Sequence, residues 1–63
     1  MNIYTVETYC ELYGKSIKGE KAFTPFDAAE KATKHMPWRH KEQIKKQVVT
    51  IMDGTKRQWE FEK

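Results

Sequence analysis

A chain of 63 residues with 38% hydrophobic and 33% charged residues and a single cysteine is one small domain, folded without an internal disulfide near the lower size limit for a self-supporting core. It holds no apolar run approaching the roughly 20 residues of a bilayer crossing and no basic-then-apolar leader, so the expected location is cytoplasmic, with no membrane partner. The net charge of +3 is unevenly placed: residues 1–33 sum to −1, residues 34–46 to +4, and residues 47–63 to zero.

Residues 2–13, NIYTVETYCELY, alternate β-branched and aromatic residues with polar ones at period two, which predicts a strand. One face shows Tyr4, Val6, Thr8, Cys10 and Leu12; the other shows Ile3, Thr5, Glu7, Tyr9, Glu11 and Tyr13. Cys10 is therefore expected inside, as an inert thiol. Gly14-Lys15-Ser16 reads as a turn, and Ile17 to Phe23 as a second strand, edged with lysines as an edge strand often is.

TPFD at 24–27 predicts a helix start. Thr24 caps through its hydroxyl, Pro25 takes the first helical position, where no amide donor is needed, and Asp27 favours the dipole and completes a capping box. Ala28, Ala29, Ala32, His35 and Met36 define the buried stripe, and the alanines let the helix axis lie close to what it covers. Pro37 ends or kinks the helix near His35 or Met36.

Residues 44–52 and 55–62 flank Asp53-Gly54, a hairpin signal. A two-residue loop sets Val48 opposite Trp59 and Lys45 opposite Glu62, with Val48, Met52, Trp59 and Phe61 on one face. A three-residue loop puts Val49 and Ile51 on the face of Trp59 and Phe61 instead. The two-residue loop is preferred because it pairs opposite charges.

The predicted fold is α+β, β-β-α-β-β, a four-stranded antiparallel sheet of two hairpins with one helix on one face. A helix about 10 Å across cannot roof four strands set about 4.8 Å apart, so apolar surface is expected outside its cover, which argues for a homodimer or a partner protein.

No phosphate loop, zinc motif or serine nucleophile context is present, and a one-helix fold offers little depth for a catalytic pocket, so the expectation is a non-enzymatic protein without a cofactor or metal. His35 and His40, five apart with Pro37 between them, do not share a helical face as two ligands would. The basic segment KHMPWRHKEQIKK, 34–46, is the leading contact surface. Trp38 and Arg39 are the residue types that anchor protein interfaces. With His40, Lys41, Lys45 and Lys46, and with Tyr9 and Tyr13 on the open sheet face, they also make a surface able to stack bases and neutralise phosphates, so sequence-tolerant nucleic-acid binding is the alternative.

The first strand YTVETY, the helix opened by TPFDAAEKA and the closing hairpin VVTIMDGTKRQWEF resemble the layout of small orphan proteins of bacteriophages. That resemblance implies an accessory protein that binds a host protein and inhibits or redirects it, and it carries over no functional residue.

Overall fold

Four strands and two helices follow in the order β-β-α-α-β-β in the computed structural model, which describes residues 1–62. They are β1 (Asn2–Cys10), β2 (Gly14–Ala22), α1 (Pro25–Thr33), α2 (Trp38–Glu42), β3 (Ile44–Ile51) and β4 (Gln58–Glu62). The strands form one antiparallel sheet in the order β2-β1-β3-β4, so β1 and β3 are central and β2 and β4 are the edges.

The alternation read along β1 is present. Tyr4, Val6, Thr8 and Cys10 are buried, and their register partners on β3 are Ile51, Val49, Gln47 and Ile44. α1 lies over this face with Ala28, Ala29 and Ala32 buried against it, and Trp59 and Phe61 on β4 pack on the same cluster. Alanines let α1 sit close enough for Gln47 Nε2 to donate to the Ala29 carbonyl at 3.0 Å, tying helix to sheet. Thr24 caps as expected, its hydroxyl accepting from the Asp27 amide at 3.1 Å.

The first turn falls three residues earlier than Gly14-Lys15-Ser16. β1 stops at Cys10, residues 11–13 make the turn, and Gly14 adopts the positive φ of 77° that an L side chain resists. Leu12 and Tyr13 therefore leave the strand; Leu12 is 69% exposed and does not line the core, and Tyr13 is not on the open sheet face beside Tyr9.

The last hairpin takes neither short loop. β3 ends at Ile51 and β4 begins at Gln58, and the connection turns on Asp53, whose carboxylate accepts from the Thr55 amide at 3.0 Å and the Thr55 hydroxyl at 2.6 Å. Gly54 and Lys56 both take positive φ. Val49 consequently opposes Trp59, and Lys46 opposes Glu62, one residue off the preferred register. The face of Trp59 and Phe61 belongs to Val49 and Ile51, while Val48 is buried on the other side and Met52 is exposed. β1 fixes the inward side of β3, with Val49 opposite Val6 and Ile51 opposite Tyr4 beneath the alanines, and this β4 register sets Trp59 on that same side.

α1 also closes earlier than its apolar stripe suggests. The helix ends at Thr33, Lys34 donates back to Lys31, and His35 lies exposed past the end rather than packed on the stripe.

The uncovered sheet face is mixed: Thr5, Glu7, Tyr9, Lys15, Lys46, Thr50 and Glu60 share it with the aliphatic Ile3, Ile17 and Val48. A compact monomer of 7.5 kDa exposes roughly 4,250 Å². The 4622 Å² found here is about a tenth above that. Ile3 and Ile17 are exposed on the uncovered face, and the other large exposed apolar residues, among them Leu12, Tyr13, Phe23, Trp38 and Met52, lie in turns and at element ends.

Candidate functional site

The segment 34–46 is not one surface. It contains the end of α1, a bend at Pro37, the five-residue helix α2 and the first residues of β3. α2 has no side-chain cap; its first turn closes on the Pro37 carbonyl, which accepts from the amides of His40 at 2.9 Å and Lys41 at 3.1 Å. So short a helix depends on tertiary support. Its support is the β1–β2 turn: the Glu11 amide donates to the Gln43 carbonyl at 3.0 Å, the Cys10 thiol points to the His40 carbonyl at 3.8 Å, and the Tyr13 hydroxyl meets His40 Nε2 at 2.8 Å.

This scaffold holds Trp38 out in solvent. Trp38 is 65% exposed and Tyr13 63%, and the Arg39 guanidinium sits 5.7 Å from the Trp38 ring centroid, in cation–π range. Leu12, Tyr13, Trp38, Arg39, His40 and Glu42 line a cleft of about 520 Å³. A second cleft of about 570 Å³ runs beside α1, but its lining is Asp27, Glu30, Lys31, Thr33, Lys34 and Lys41, with no aromatic side chain. The first has the composition of an interface anchor; the second is a charged groove.

No protein-family model matches this chain. Neither the curated proteins nor the solved structures contain a significant match to it. The functional reading therefore rests on the chain's own geometry.

Of the eight residues singled out from sequence, the structure brings together Tyr13, Trp38, Arg39 and His40. Tyr9 and Lys46 lie apart from them on the open sheet face, where the Lys46 ammonium stands 4.9 Å from the Tyr9 ring centroid. The Tyr9 hydroxyl donates to Glu7 Oε2 at 2.7 Å, and that bond to a carboxylate holds the phenol above its ordinary range. Lys45 is the extra residue of a β-bulge where β3 passes Cys10, and its ammonium pairs with Glu11 at 3.7 Å. Lys41 is half-buried and turned toward the groove beside α1.

Sequence reasoning missed Leu12 and Glu42 as parts of the cleft. The signal for Leu12 was Gly14, whose positive φ ends a three-residue turn and would have placed Leu12 at its tip. Among the described residues no group of three or more His, Cys, Asp or Glu side chains is placed to hold a metal ion, and no helix is long and apolar enough to cross a membrane.

Proposed function

We propose that this chain is a non-enzymatic binding protein that docks on a protein partner through the tip formed by the β1–β2 turn and α2, as a phage-type modulator of a host protein in the cytoplasm would. The observation that carries the reading is Trp38: a large aromatic side chain held in solvent beside exposed Leu12 and Tyr13, on a short helix tied down by three contacts from another part of the chain. Burying an exposed Trp and its stacked Arg is a strong source of interface energy, and a tip ordered in advance loses little entropy on binding.

Nucleic-acid binding is the second reading, because an exposed Trp-Arg stack also suits a base. It has less support. The cations of 34–46 are spread over the end of α1, α2, a bulge and the far sheet face, and Lys45 is engaged with Glu11, so they trace no single phosphate track.

Affinity capture from a bacterial lysate, with and without nuclease, tests the proposal. The native chain should retain a protein after nuclease treatment. Trp38→Ala should lose it while shifting stability by no more than about 0.5 kcal/mol, as expected for a surface substitution. Retention undiminished by Trp38→Ala would remove the tip from the interface, and retention that vanishes with nuclease would transfer the function to nucleic acid.

A further inference from the structure

The two free edges of the sheet differ in charge, and hydrogen bonds show which backbone groups each presents. The Ile3 carbonyl accepts from the Met52 amide at 2.8 Å, so Ile3 turns its peptide groups toward β3. By the alternation of antiparallel ladders, its β2 partner Lys21, and with it Gly19, Ile17 and Lys15, turn theirs outward. The Lys31 ammonium bears this out by reaching the Lys21 carbonyl at 2.7 Å. On the other side the Ile51 amide donates to the Arg57 carbonyl at 3.1 Å, so Trp59 and Phe61 bond inward to β3, and Gln58, Glu60 and Glu62 present their peptide groups to solvent.

The β2 edge thus carries Lys15, Lys18 and Lys21 against Glu20 alone, and the β4 edge carries Glu60 and Glu62. We propose that the β2 edge receives the β4 edge of a second copy of this chain, continuing one antiparallel sheet from molecule to molecule. Direction permits it, since β2 and β4 run opposite ways within the sheet. Length selects the register. Lys31 already occupies the Lys21 carbonyl, which leaves Lys15–Gly19 to match the five residues of β4, so Lys15 faces Glu62, Ile17 faces Glu60 and Gly19 faces Gln58. On the helix side the same register sets Lys18 opposite Trp59, which is incompletely covered by its own molecule. Pairing β2 with β2 about Lys18 would instead set Lys15 against Lys21, and like charges directly opposite are unfavourable. The contact is heterologous, so association is open-ended rather than closed at a dimer.

Sedimentation equilibrium of the intact chain at low salt, from about 1 μM to about 1 mM, a range that reaches weak contacts, tests this. Average mass should climb with concentration. Glu62→Lys and Lys15→Glu should each weaken association about tenfold, since each sets like charges opposite one another, and mixing the two variants should restore it. Ile17→Pro removes only an outward amide and should abolish association while the fold, read by circular dichroism, persists. A monomer throughout this range would overturn the proposal, and so would association that Glu62→Lys leaves unchanged, because the β4 edge would then not be the occupant.

Discussion

Tyr13 and His40 are 27 residues apart in the chain and meet at 2.8 Å, with ring centroids 4.5 Å apart. With the Glu11–Gln43 and Cys10–His40 contacts, it joins a turn and a five-residue helix into one tip that carries the exposed Trp38. Tyr13→Phe keeps the ring and removes the hydrogen bond. It should cost about 0.5–1 kcal/mol and loosen the tip locally. In hydrogen exchange the Glu11 amide, bonded to Gln43, should exchange faster in the variant, while the amides of central β1 keep their protection. Equal acceleration across β1 would show that the contact supports the whole domain.

Thr24 touches the helix end and lies outside the tip. Thr24→Ala should cost about 1 kcal/mol, or roughly 4–8 °C in Tm for a domain of this size. Partner capture by the folded protein should be unchanged. A loss of capture at temperatures where the variant is fully folded would extend the docking surface to the start of α1.

Asp53 gives a pH dependence of known sign. The Thr55 hydroxyl, then the Thr55 amide, with Arg57 contributing, hold its carboxyl below the usual carboxylate range. A depressed native value stabilises the fold above the unfolded value of about 3.9, and that contribution is lost as pH falls through the native value. Asp53→Ala should therefore lower Tm at pH 7, and the gap from the native chain should narrow as the pH is brought below about 3.9. A gap independent of pH would mean that the loop is held by its backbone alone.

Local signals were legible wherever one turn or one strand carries all the needed information. Thr24-Pro25 marks the helix start because the cap spans only three residues, and the alternation from Tyr4 to Cys10 marks β1 because neighbouring side chains on a strand point to opposite faces. The candidate surface was legible only in part. Trp38 and Arg39 were identifiable by residue type, but Leu12 was assigned to the core and Tyr13 to the open sheet face, since a strand reading carried past Cys10 reverses nothing in the pattern itself.

The linear chain by itself determined the class of fold, the helix with its alanine stripe, and the inward side of β1, because these follow from backbone and side-chain preferences within a few residues. Only the tertiary structure decided that Lys46 rather than Lys45 faces Glu62, that β1 pairs with β3, and that α2 rests on the β1–β2 turn. Those outcomes depend on contacts between residues distant along the chain. A one-residue slip of β3 leaves every local preference satisfied, yet it would exchange Val49 for Val48 beneath α1.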